Sequence, residues 1–311
     1  MIDRKHMKGE RMKRNARLNG DGKAAFWFLL PSMVGFITFV ALPVMGSLFL
    51  SFTEWNFLTG FSGIQFVGVE NFKTLLSFKD AWFADSMRHS LVFTAVQVPC
   101  NVAIGLFIAV LIDRYVYAKK LFKVTVFIPY ISSIVASAVV WMVVFQPSFG
   151  PISSVLRAIG IENPPRWFVD VNWSFPMIML FQFWLGLGYT IIVFMSGLKG
   201  IPGELYEAAT TDGANEIQKF FRITVPMISP TTFFLITMSI ISSFKVFDSV
   251  NVITRGGPGR ATTVIAFYIY REAFKYYRMG TANAAAWIMF VIIFIVTIIQ
   301  LKQQNRWVNY D

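Results

Sequence analysis

The sequence predicts an all-α polytopic membrane protein of about six transmembrane helices. Three observations carry this expectation. Of its 311 residues, 55% are hydrophobic and 14% charged, a balance that soluble globular domains rarely show. Six apolar stretches each approach the roughly twenty residues that cross a hydrocarbon core. Lys and Arg are shared unevenly between the segments that would alternate across a bilayer.

Taken in order, residues 1–23 hold eight of the 28 Lys and Arg and lack apolar periodicity, which reads as a basic cytoplasmic arm beside a membrane. Residues 24–311 would form one transmembrane domain. Its first span, 24–52, is interrupted by Pro31 and Pro43, exceeds a signal-peptide core and is followed by no small-residue cleavage site, so it is expected to stay as an anchor. Residues 53–89 carry Trp55, Trp82 and several Phe, as a segment at the outer interface would. Further spans are expected at 90–112, 124–145, 175–198, 229–247 and 284–301.

Six spans place both termini on one face. Seventeen Lys and Arg fall on that face and ten on the other, so the positive-inside bias puts both termini and the connector 201–226 in the cytoplasm. Arg255, Arg260, Arg271, Lys275 and Arg278, just before the last span, run against this bias.

Several function classes are excluded. The net charge of +11 is concentrated in the amino-terminal arm, which speaks for the lipid bilayer rather than nucleic acid as its partner. Cys100 is the one cysteine and lies in an apolar run; His6 and His89 are the two histidines; neither a disulfide framework nor a metal centre follows from them. A GxxxxGK[ST] phosphate loop is absent, so the chain is expected to hydrolyse no ATP by itself and to hold no cofactor. A membrane enzyme or channel would call for buried carboxylates or a charged pore ring, and only Asp248 lies near a span.

The connector IPGELYEAATTDGANEIQKFFRITVPMISP, 201–230, is the least membrane-like stretch between the fourth and fifth spans. Pro202 suits a first helical turn, Glu204 and Glu207 sit near that helix's positive end, and Gly213 suits a left-handed stop. Ala208 and Ala209 offer a small face that another surface can approach. Asn215 suits the cap of a second helix bearing Ile217, Phe220 and Phe221 on one side, and Pro226 and Pro230 bend the chain into the next span.

Glu207-Ala208-Ala209, three residues, Gly213, nine residues, Ile223, one residue and Val225-Pro226 resemble the EAA loop of the membrane subunits of bacterial ABC importers, with Val225 where Leu is usual. Asp212 before Gly213 and Pro202 upstream resemble the sugar permeases of the maltose-permease-like group. Val67-Gly68-Val69-Glu70-Asn71-Phe72, Phe149-Gly150, Gly256-Gly257-Pro258 and Tyr268-Ile269-Tyr270 extend the likeness over nearly the whole chain, Arg255 standing where a small residue is more usual.

The resemblance implies a type I ABC importer permease fold, with Glu207, Ala208, Ala209, Asp212 and Gly213 coupling the chain to an ATPase. Its implied partners are a second permease, two ATPase subunits that bind the ATP and Mg, and an extracytoplasmic sugar-binding protein. It also implies a bacterial cytoplasmic membrane location.

Polar groups inside spans favour bundle interiors or water-filled paths. Gln182, Leu185, Gly186 and Tyr189 recur at i, i+3, i+4 and i+7 in the fourth span, and Ser239, Ser242, Ser243 and Val246 do so in the fifth. Amides, hydroxyls and aromatic rings suit a neutral polyhydroxylated ligand; helix packing is the alternative, especially for the serines. By offset from the connector, the resemblance places these eight on sugar-binding positions of the maltose permease. Leu185, Gly186, Tyr189 and Ser239 keep the residue type there, so location rather than the particular sugar is implied. Gln97 and Asn101, one turn apart in the second span, suit either the path or packing, and Lys245 and Asp248 suit a local ion pair or a reach to the interface.

Overall fold

The computed structural model describes residue 22 and residues 24–307; the expected basic arm lies almost wholly outside them. Twelve helices are used below: α1 (Ala24–Ser51), α2 (Glu70–Leu76), α3 (Ala81–Tyr115), α4 (Lys119–Ile131), α5 (Ile134–Val144), α6 (Pro151–Ala158), α7 (Val171–Leu198), α8 (Gly203–Thr211), α9 (Glu216–Met227), α10 (Ser229–Phe244), α11 (Ile265–Tyr270) and α12 (Met279–Trp307). Among the described residues α1, α3, α7 and α12 are each long and apolar enough to cross a membrane. The bent pairs α4–α5 and α9–α10 bring the number to six if each is one crossing.

The helices depart from the expected spans in informative ways. Asp80 caps α3 by accepting from the N–H groups of Trp82 and Phe83, so the helix starts well before residue 90 and runs for 35 residues. At about 1.5 Å per residue it outreaches a hydrocarbon core of about 30 Å. The apolar run 124–145 is two helices meeting at 97°. Pro129 cannot supply an N–H to the helix ladder, Ser132 is extended, and the Ser133 hydroxyl accepts from Ala136 N–H to start α5 afresh. The fifth expected span ends as helix at Phe244, ahead of residue 247.

The centre is built by α3, α4, α7 and α10. Phe93, Ala138, Ile178, Phe181 and Leu185 pack with Val246, Val250, Ile253, Val264 and Phe267 towards one end of the bundle. Ala109, Ile112, Ile191, Phe194, Met195, Ile228 and Leu235 do so towards the other. Gly188 lets α4 approach closely: a Cβ there would stand 2.1 Å from Val126 O. Trp141 and Trp184 pack with one another and with Phe181.

A cap covers the end of the bundle to which α3 begins. The strand pair β1 (Thr53–Glu54) and β2 (Gln65–Phe66) is antiparallel, with Thr53 opposite Phe66, and Asn71 Nδ2 donates to Ser51 O (3.0 Å) and Thr53 O (2.9 Å). The basic residues that run against the charge bias lie here, and three are paired. Arg260 meets Asp85 (2.5 Å); Arg271 and Arg278 share Glu272, at 2.9 and 3.6 Å. The Arg271 guanidinium also lies 3.7 Å from the Trp82 ring centroid. Tyr268 donates to Asp80 (2.7 Å), and burial together with that bond pushes its phenol above its ordinary value. Arg255 takes a left-handed turn at φ 53°, its N–H donating to Val250 O. Lys245 and Asp248 remain exposed and form no ion pair with each other.

Candidate functional site

Two sites stand at different depths of the bundle. The first is the connector. Pro202 stands at the position before the first turn of α8, one residue earlier than the sequence suggests, and makes no side-chain capping bond. Past Thr211 the chain stops in two steps: Gly213 at φ 77° donates to Thr210 O, and Ala214 N–H reaches back to Ala209 O (2.9 Å). Asn215 and Gln218 then cap α9 reciprocally, each side chain accepting from the other's backbone N–H.

Of the predicted coupling residues, Glu207, Ala208, Asp212 and Gly213 are exposed and Ala209 is half-buried. Ala208 and the acids Glu207 and Asp212 are therefore open to another surface. What holds α8 to it is Tyr206, whose hydroxyl lies 2.9 Å from Thr224 Oγ1. Arg114, in the last turn of α3, spans the same joint. Its guanidinium lies 5.1 Å from the Tyr206 ring centroid and donates to Glu216, which also pairs with Lys219 at 2.9 Å. Sequence reasoning missed Arg114; its place at the head of the basic run Arg114, Lys119, Lys120 and Lys123, at the end of α3, was the available signal.

The second site is a cavity of about 350 Å³ between α3, the α4–α5 bend, α7 and α10. All eight predicted path residues line it: Gln182, Leu185, Gly186 and Tyr189 from α7, and Ser239, Ser242, Ser243 and Val246 from α10 and the turn after it. Gln97 and Asn101 of α3 join them, as do Phe93, Tyr130, Ile134, Thr190 and Met238, which sequence reasoning did not single out. The lining holds no charged side chain.

Its chemistry is uneven. Tyr130 stacks on Tyr189 with centroids 5.0 Å apart, giving one flat aromatic wall. Ser243 is engaged within the protein, its hydroxyl 2.7 Å from Thr94 Oγ1 and donating to Ile240 O (2.8 Å). By contrast, Gln182 Oε1 and Asn101 Oδ1 are buried with no hydrogen-bond partner. Such a cavity can present acceptors and an apolar face to a solute; it offers no counter-charge to an ion. Among the described residues no group of three His, Cys, Asp or Glu stands close enough to hold a metal.

Residues 101–309, which include the connector, the α7 and α10 linings and the last span, match the family described as "Binding-protein-dependent transport system inner membrane component". The chain belongs to this family. The permease is 32% identical to the "Probable ABC transporter permease protein YesP" of Bacillus subtilis, over 96% of each chain. It is 32% identical to the sn-glycerol-3-phosphate transport system permease protein UgpA of Pectobacterium atrosepticum, over 79% of this chain and 83% of that one. With the probable starch degradation products transport system permease protein AmyD of Thermoanaerobacterium thermosulfurigenes, identity is 29% over 93% and 97%. Its fold matches a chain of a bacterial ABC transporter involved in the import of the acidic polysaccharide alginate at a TM-score of 0.82 and 23% identity, covering 94% of the permease and 99% of that chain.

These findings establish a mostly helical, polytopic inner-membrane permease of an ABC importer, with a type I importer fold, and a transport subunit rather than an enzyme. EAA-bearing connectors are typical of the family, and residues 207–209 supply one here.

Proposed function

We propose that the permease forms half of a translocation path for a sugar or oligosaccharide, delivered by an extracytoplasmic binding protein and driven by two separate ATPase subunits that bind the ATP and Mg. A second, similar permease supplies the other half. The observation that carries this reading is the uncharged cavity in which all eight candidate residues meet beside the Tyr130–Tyr189 wall. Stacking surface and amide acceptors together recognise a polyhydroxylated solute better than an ion. A relative named for starch degradation products lends support to a saccharide class.

The exposed Glu207, Ala208, Asp212 and Gly213, with the half-buried Ala209, are the grip for the ATPase, on the cytoplasmic side with both termini. ATP binding closes the ATPase dimer, and α8 moves as a rigid lever because Tyr206 and Arg114 tie it to α9 and α3. Hydrolysis returns the path to its inward-facing form. Co-purification from native membranes tests this: a second permease and an ATPase should co-elute, and a Cys at position 208 (Ala208→Cys) should crosslink to that ATPase. A chain that emerges alone under gentle detergent, with no crosslink, sinks the proposal.

A further inference from the structure

The least explained groups in the cavity are the two orphaned amide oxygens. A buried acceptor without a donor carries a desolvation cost that a bound donor removes. Asn101 is 7% exposed, as is Gln97 one turn before it on α3. With the Gln97 amide oriented to suit its neighbours, its Oε1 accepts from Asn101 Nδ2 (3.1 Å) and from Phe183 N–H (2.8 Å), while its Nε2 donates to Met179 O (3.2 Å). Gln97 is thereby fixed to the backbone of α7, and Asn101's nitrogen is fixed to Gln97. What remains is Asn101 Oδ1, buried without a partner beside Gly186, where an added Cβ would lie 3.7 Å from Asn101 Nδ2 and 3.9 Å from Oδ1.

Resting on the carbohydrate reading above, we infer that Asn101, held in orientation by Gln97, is a specificity-determining acceptor that reads a hydroxyl donor of the passing solute, with Gln182 Oε1 as a second acceptor. The solute class this selects is an uncharged saccharide. A hydroxyl donates to these oxygens, whereas a carboxylate or phosphate has no proton to donate and meets lone pairs with no cation in the lining. Ser243 does not take part, since its hydroxyl already bonds Thr94 and Ile240. Sites built to bond a substrate hydroxyl discriminate strongly against analogues that lack it, because the protein group is then left unpaired.

The complete importer, with its binding protein and ATPases, is reconstituted in proteoliposomes and supplied with labelled maltotriose, xylotriose or alginate trisaccharide. Uptake should be confined to the neutral sugars. Asn101→Leu, which keeps the branched shape and removes the acceptor, should raise the half-saturating concentration about tenfold, the worth of one hydrogen bond. The decisive series replaces one hydroxyl at a time by fluorine, which cannot donate, on whichever neutral trisaccharide enters. The wild-type importer should lose about tenfold at one position, and Asn101→Leu should lose nothing further there, a pattern that a merely structural role would not produce. Equal uptake of alginate trisaccharide, or an Asn101→Leu importer with unchanged kinetics, overturns the inference while leaving carbohydrate import standing. Uptake of none of the three removes the carbohydrate reading beneath it.

Discussion

Replacing Gly188 by Ala tests whether the cavity wall depends on the close backbone approach of α4 to α7. The new Cβ would sit 2.1 Å from Val126 O, 2.9 Å from Val126 C and 3.1 Å from Phe127 Cα, all backbone atoms that no rotamer change can move aside. Ordinary carbon contacts lie near about 3.5 Å, so α4 must recede by roughly 1 Å. Overpacking of this kind costs about 1–3 kcal/mol. The displacement also opens the wall, because Tyr130 follows Val126 by one turn and stacks on Tyr189, the neighbour of Gly188. Thermal unfolding of the purified importer should fall by about 4 °C for about 2 kcal/mol, with sugar uptake reduced as well. Gly203→Ala serves as the control, since a Cβ there meets nothing within 4 Å. A Gly188→Ala importer that melts and transports like wild type would refute the close-approach argument.

Three further outcomes are expected. Gly186→Ala meets nothing nearer than 3.7 Å, so stability should stay within about 0.5 kcal/mol, while the methyl group in the Asn101 notch weakens saccharide uptake; wild-type uptake kinetics would contradict this. Gly213→Pro demands φ near about −65° where the chain holds 77° and removes the N–H that bonds Thr210 O; at equal protein level, transport should collapse while ATP hydrolysis persists, as a paired uptake and phosphate-release assay would register. Arg114→Gln loses a part-exposed ion pair and a cation–π contact worth about 1 kcal/mol or less each, so the midpoint should barely move while sugar carried per ATP hydrolysed falls; Glu216→Gln should do the same, and the double variant should be no worse than either.

How much of this was legible in the sequence depends on the range of the physics involved. Gly213 and Asn215 act on backbone groups a few residues away, so the stop of α8 and the cap of α9 could be read directly. The eight path residues could be placed on two helix faces by their spacing. Spacing said nothing of Tyr130, and it left Asn101 open between path and packing; both reach the same cavity from other helices. Nor could it separate Ser243, engaged by Thr94 from 149 positions away, from Gln182 with its free acceptor. Nor did the sequence show that Arg271 and Arg278, which run against the charge bias, share Glu272 as a partner.

By itself the sequence determined the class of the molecule: apolar length sets what must lie in a bilayer, and the ordered connector residues identify an importer permease. A bilayer asks only that outward faces be apolar, however, and does not say which face meets which. Tertiary structure alone decided that, through contacts such as Gly188 against Val126, the break at Ser132 and the bonds that fix Gln97 to α7. Helix association in lipid rests on close packing and on interhelical hydrogen bonds. Both join residues distant in sequence, and so the cavity and its two free acceptors exist only once the helices have assembled.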